Sequence, residues 1–128
     1  MYRLEQTVAI VDADPLLRKA LARLLFLFGY DVELFDSAAG FLDVTAASKA
    51  TCLLIAVELG ETSGLHLAEQ LFDRGFEGPI ILMSTSDDDT IRQRSVDLGC
   101  AGYLHKPFTD GQLIDAIERA VGSKLHRG

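Results

Sequence analysis

Short apolar runs alternate with helical patterns along the whole chain. Five runs are rich in aliphatic and β-branched residues and have the length of strands, and they lie at 7–11, 31–35, 51–56, 79–83 and 101–104. Between them, apolar residues recur at steps of three and four, which is typical of one face of a helix. This alternation predicts an α/β fold, a five-stranded parallel sheet with helices on both faces.

Residues with capping preferences mark the ends of the helices. Asp14 and Pro15 are placed to begin the first helix, and Gly29 to end it. The five helices are predicted at 15–28, from Ser37 to about Ala47, from Leu65 to near Gly75, at 86–99 and at 113–121. The fourth has an acidic first turn and few apolar residues. We expect one domain over residues 1–122, followed at 123–128 by a tail or the start of a linker.

Composition narrows the range of partners. The net charge of −7 over 128 residues argues against direct binding to nucleic acid or to an anionic membrane. No apolar run reaches the length of a membrane span, and acidic residues follow the first run too closely for a signal peptide. Cys52 and Cys100 lack the spacing of a metal site. The sequence therefore predicts a cytoplasmic protein with two free thiols.

Polar side chains follow several of the predicted strands. Because the carboxyl ends of parallel strands meet at one edge of a sheet, Asp12, Ser84 and Lys106 are expected to converge there. The residue before a proline favours extended geometry, so Pro107 should fix the direction of the lysine. At the end of the third strand, where such folds often place a reactive group, the chain has Ala56.

The segments "VAIVDADPLLRKALARLL", "ETSGLHLAEQL", "PIILMS" and "GCAGYLHKPF" resemble the receiver domain of response regulators in two-component signalling. The resemblance extends from about Thr7 to Val121 and implies a flavodoxin-like (βα)5 fold. It also implies that an aspartate ending the third strand accepts a phosphoryl group from a histidine kinase, assisted by Mg²⁺. The change would then reach the face formed by the fourth helix, fifth strand and fifth helix.

The resemblance also implies a role for individual residues. Asp12 matches the first acid of the metal pocket and Ser84 the hydroxyl that senses the phosphoryl group. Tyr103 matches the aromatic switch and Lys106 the lysine that pairs with the phosphate. The peptide bond to the following proline, Pro107 here, is often cis in this family.

Two positions depart from the family pattern. Ala56 occupies the phosphoacceptor position and Ala13 the position of the second acid. A methyl group supplies no oxygen nucleophile for phosphoryl transfer. Mg²⁺ usually needs carboxylates to hold it, so Asp12 alone predicts a weak and unoccupied metal site. Asp14 is explained as a helix cap, and Glu58 lies two residues beyond the strand end, so neither is expected to substitute.

These departures favour a pseudo-receiver, a module that is not an enzyme, needs no cofactor and acts through protein contacts. Its expected partners are a histidine kinase, an effector domain or a second copy bound through the face that the resemblance implies. An alternative is an ordinary receiver in which Ala56, with or without Ala13, is an engineered replacement.

A second alternative starts from the Asp-x-Asp pattern after the first strand. It resembles haloacid-dehalogenase-type phosphatases, in which Asp12 would be the nucleophile and Asp14 the general acid. Ser84, Lys106 and the pair Asp87-Asp88 would supply the remaining motifs. The order disagrees, because in that family the acidic pair follows the lysine.

Overall fold

The computed structural model describes residues 6–45 and 48–126, with side chains described through residue 122. Strands and helices alternate, as the sequence pattern predicts. The elements are β1 (Thr7–Val11), α1 (Pro15–Leu27), β2 (Asp31–Phe35), α2 (Ala38–Asp43), β3 (Cys52–Ala56), α3 (Gly64–Asp73), β4 (Ile80–Ser84), α4 (Asp89–Leu98), β5 (Gly102–His105) and α5 (Asp110–His126). Each strand lies within one residue of its predicted position, and helices cover both faces of the sheet, so the predicted fold class is confirmed.

The five strands form one parallel sheet in the order β2-β1-β3-β4-β5. Every residue of β3 and β4 is buried, in agreement with the apolar character of both strands up to Ser84 at the end of β4. From β1 the chain passes to β2 on one side, and β3 lies on the other side. Such a reversal opens a crevice at the carboxyl ends of the two strands, so Asp12 and Ala56 border the same crevice.

Polar side chains cap the N-termini of the helices around this crevice. Asp14 accepts hydrogen bonds from the amides of Leu16 and Leu17, at 3.0 and 3.3 Å, which confirms its predicted role as the cap of α1. Ser63 caps α3 in the same way, and Asp88 caps α4. Because Asp88 is the cap, α4 begins at Asp89, three residues later than predicted.

Two further helices differ from their predicted ranges. α2 ends at Asp43, and residues 46–47 at the end of its predicted range lie outside the described residues. α5 begins at Asp110 and continues to His126. Its first turn is held by Thr109 and Gln112, each of which accepts a hydrogen bond from the other's amide. This capping box is readable in the sequence, but an apolar pattern alone misses it.

The predicted tail at 123–128 begins inside α5, since the backbone is helical to His126, and residues 127–128 lie outside the described part. The boundary between domain and tail stays a prediction. Cys52 and Cys100 are free thiols, and burial raises their pKa to about 12 and about 11. None of the helices in the described ranges combines the length and apolar character needed to cross a bilayer.

Candidate functional site

The ends of β1 and β5 bring a carboxylate and a lysine together. Lys106 Nζ donates a hydrogen bond to Asp12 Oδ2 at 2.7 Å, and the two side chains are only 15% and 3% exposed. Buried charges are tolerated where they are paired and hydrogen-bonded. Asp12 and Lys106 thus meet as their strand-end positions predict, and they neutralise each other.

The remaining oxygens of Asp12 have partners at the start of α1, in its cap residue and in Arg18. Its Oδ1 accepts a hydrogen bond from the amide of Asp14 at 2.9 Å. Its backbone carbonyl accepts one from Arg18 Nη1 at 2.6 Å. The carboxylate is therefore held on one side by the lysine and on the other by the chain itself.

Small residues occupy the centre of the crevice. Ala56 is fully buried at the end of β3, and Ala13 is exposed on the loop after β1. The first residue of α3 packs closely on the backbone of Ala56, since a Cβ at Gly64 would lie 2.1 Å from the carbonyl oxygen of Ala56. Neither alanine side chain offers an oxygen to a metal or to a phosphoryl donor.

Ser84 has a partner on the β3–α3 loop that the sequence pattern does not predict. Its hydroxyl, fully buried at the end of β4, donates to Glu58 Oε2 at 2.6 Å. The amide of Thr85 donates to Glu58 Oε1 at 3.1 Å. The β3–α3 loop turns at Gly60, whose φ is +87°, and pairs Glu58 with Ser63 in an isolated bridge. That glycine is the one sequence signal for the turn, because few other residues adopt such a φ.

Of the other predicted positions, Tyr103 and Asp87 lie toward α4. Tyr103 on β5 is half-buried, and the Arg92 guanidinium stacks 5.5 Å from the centre of its ring. His105 Nε2 lies 2.8 Å from Asp87 Oδ1, which joins the end of β5 to the loop before α4. The Lys106–Pro107 peptide bond is cis.

The acids at the crevice fit Mg²⁺ poorly. Mg²⁺ requires near-octahedral oxygen coordination, usually with one or two carboxylates. Asp12 is committed to Lys106, and Glu58 is committed to Ser84 and Thr85. Among the side chains that the structure describes, in residues 6–45 and 48–122, no three from His, Cys, Asp or Glu are grouped as metal ligands.

Residues 8–118 match the response regulator receiver domain. The chain belongs to this family. Among relatives of the receiver, the transcriptional regulatory protein TdiR of Thauera aromatica is 35% identical over 115 residues, which cover 90% of this chain and 51% of TdiR. The transcriptional regulatory protein FixJ of Azorhizobium caulinodans is 33% identical over 121 residues, 94% of this chain and 57% of FixJ. The receiver thus spans about half the length of these relatives.

Solved structures agree with this assignment. Full-length FixJ from B. japonicum aligns with a TM-score of 0.85 and 29% identity, over 91% of this receiver and 58% of FixJ. A CheY-like receiver domain protein from Methanospirillum hungatei aligns with a TM-score of 0.90 over 96% of this chain and 98% of its own. Its identity is 20%, so it supports the fold alone. The family match favours a receiver of a two-component system over the haloacid-dehalogenase-like alternative.

Proposed function

We propose that this receiver is a signalling and interaction module that acts without conventional aspartyl phosphorylation. The observation that carries the proposal is the buried methyl group of Ala56 at the end of β3. Transfer of a phosphoryl group needs an oxygen nucleophile in line with the bond that breaks. The nearby acids are engaged elsewhere, Asp12 with Lys106 and Glu58 with Ser84.

The same geometry argues against a need for Mg²⁺. In a site rich in carboxylates, a divalent cation relieves the repulsion between like charges. Here Lys106 already balances Asp12 at 2.7 Å, and Ala13 adds no acid. The proposed module is therefore not an enzyme, needs no cofactor, and would leave Asp12 without a metal.

Its proposed partners are signalling proteins, either a histidine kinase or an effector domain. TdiR and FixJ are named transcriptional regulatory proteins, and the match to this chain covers 51% and 57% of their lengths, which supports an effector domain as one partner. A homodimer through α4, β5 and α5 is a second candidate. The net charge of −7 argues against direct contact with nucleic acid or a membrane, and we place the module in the cytoplasm.

The test is incubation with acetyl phosphate and Mg²⁺, followed by intact-mass spectrometry. The chain itself should gain no phosphoryl group. Ala56→Asp alone should be labelled slowly or not at all, and Ala13→Asp with Ala56→Asp should be labelled, because the pair restores both the nucleophile and a metal ligand. Ala39→Asp, which adds a carboxylate at an exposed position of α2, is the matched control and should stay unlabelled.

Two results would contradict this scheme. Labelling of the unaltered chain at Asp12, Asp14 or Glu58 would end the proposal that it works without phosphorylation. Equal labelling of Ala56→Asp and of the double variant would mean that Ala13 does not replace a metal ligand. The alternative of engineered alanines is decided by the codons for residues 13 and 56 in the parent gene.

A further inference from the structure

Glu58 holds two hydrogen-bond donors that the proposed function does not otherwise use. The Ser84 hydroxyl and the Thr85 amide each donate to a different oxygen of its carboxylate, at 2.6 and 3.1 Å. The Thr85 hydroxyl lies 3.4 Å from the same oxygen as the amide. Donors that converge in this way on a charged group form the stronger class of hydrogen bond.

Ser84 has no exposed surface, so its hydroxyl depends on the protein for an acceptor. By its position it is also the hydroxyl that would meet a phosphoryl group in an ordinary receiver. In this chain a carboxylate from the neighbouring loop takes that place. The β3–β4 pairing brings the two together, since the amide of Val57 donates to the carbonyl of Met83 at 2.7 Å, one residue beyond the end of β3.

A continuous series of hydrogen bonds leads from Ser84 to α4. The amide of Ser86 donates to Ser84 Oγ, and the amide of Asp88 donates to Ser86 Oγ, both at 3.0 Å. Asp88 Oδ1 then accepts from the amide of Thr90 in the first turn of the helix, at 2.9 Å. The start of α4 is thereby connected, bond by bond, to the group that Glu58 holds.

Few apolar contacts fix the position of α4, in which only Ile91 and Leu98 pack partly against the core. Of its ten residues, all of them described, Ser95 alone is buried, and Val96 is 62% exposed. An element with few buried apolar contacts is easily displaced. Hydrogen bonds at its N-terminus and the stacking of Arg92 on Tyr103 consequently have a large share in holding it.

We propose that Glu58 is a built-in anion that occupies Ser84 and Thr85 and thereby holds the β4–α4 segment and α4 in one arrangement without a phosphoryl group. The inference rests on the proposed function and assigns Glu58 as its positioning residue. The face formed by α4, β5 and α5 would then be presented to a partner continuously.

The experiment compares amide hydrogen exchange, measured by NMR, in the full chain and three variants. Glu58→Ala removes the acceptor of the Thr85 amide, and exchange at Thr85 should become about tenfold faster or more, the effect of losing a hydrogen bond to a charged group. The Ser86 amide donates to Ser84 Oγ, and its exchange should rise by a smaller factor. Glu58→Gln keeps a neutral acceptor oxygen and should fall between Glu58→Ala and the unaltered chain. Glu61→Ala removes an exposed carboxylate from the same loop and should stay within twofold of the unaltered chain.

The side-chain signals of Tyr103 supply a second readout, which should shift in Glu58→Ala and recover in part in Glu58→Gln. The amide of Ile10 in β1 is the internal reference for global unfolding. If Glu58→Ala also raises the exchange rate of Ile10, that variant is globally destabilised, and the test then rests on Glu58→Gln. The inference would be overturned if Thr85 exchanged within twofold of its rate in the unaltered chain. This outcome is assessed in Glu58→Ala if that variant stays folded, and in Glu58→Gln if it does not.

The two proposals fail in different measurements. Labelling of the unaltered chain by acetyl phosphate would refute the proposed function, whatever the exchange rates are. Unchanged exchange in the Glu58 variants would refute the role of Glu58, and it would leave an unlabelled receiver intact.

Discussion

Replacing Lys106 with methionine should lower the free energy of unfolding of this receiver by more than a substitution at an exposed position does. Lys106→Met keeps most of the side-chain volume and removes the cation 2.7 Å from Asp12, whose side chain is only 3% exposed. A buried carboxylate left without its counter-charge costs about 3–5 kcal/mol. We expect the lower end, about 3 kcal/mol, because the amide of Asp14 still donates to Asp12 Oδ1. That is a large part of the roughly 5–15 kcal/mol that stabilises a domain.

The assay is urea unfolding followed by circular dichroism for a full double-mutant cycle. Asp12→Asn should cost less, about 1 kcal/mol, because the more exposed lysine can turn to solvent. The double variant Asp12→Asn with Lys106→Met should recover much of the loss of Lys106→Met, since no buried charge remains. Lys19→Met, at an exposed position of α1, is the control and should change stability by no more than about 0.5 kcal/mol.

Two results would refute this reasoning. A cost for Lys106→Met below about 1 kcal/mol would mean that water reaches the pair and screens it as at a surface. Additive costs in the double variant would mean that the two charges do not interact. Either result would also weaken the argument that Asp12 needs no metal.

Three further predictions concern other residues of the domain. Asp14→Ala removes the cap of α1 and should lower the free energy of unfolding by about 1 kcal/mol, whereas Asp14→Asn should restore most of it; urea unfolding measures both. Gly64→Ala should destabilise the domain by more than the cap variant, because the new methyl group would meet the carbonyl of Ala56 at 2.1 Å, and a thermal melt no lower than that of Asp14→Ala would contradict this. The pKa values of Cys52 and Cys100 are raised to about 12 and about 11, so both thiols should be alkylated slowly at pH 8. The free energy of unfolding should also fall as the pH rises above about 9, because the thiols ionise at lower pH in the unfolded chain than in the folded one. Cys52→Ala should make that fall shallower, and an equal slope with and without the thiol would contradict the argument.

Short-range patterns and one topological rule made two features predictable. These are the positions of the strands along the chain and the meeting of Asp12 with Lys106. Buried parallel strands are continuous apolar runs, and their carboxyl ends share one edge. A residue directly after such a run is therefore placed by the sheet itself. The same reasoning places Ala56 at the edge, where its lack of a polar group is visible from the sequence.

The role of Glu58 could not be predicted in this way. Its position depends on the path of a loop, and the path depends on Gly60 at positive φ and on the bridge from Glu58 to Ser63. Counting residues from the strand end gives distance along the chain, not direction in space. The early start of α5 was missed for another reason, because the Thr109–Gln112 box contains no apolar residue.

The stacking of Arg92 on Tyr103 gives this receiver an optical reporter of its own. The chain has no tryptophan and three tyrosines, so near-ultraviolet absorption and emission come chiefly from tyrosine rings. Tyr30 is 2% exposed in the core, where docking at a distant surface leaves its surroundings unchanged. Tyr103 lies on the edge strand, with a cation from α4 on its ring. A partner that moves α4 should therefore change the spectrum of Tyr103, which would let binding be followed in the unlabelled protein.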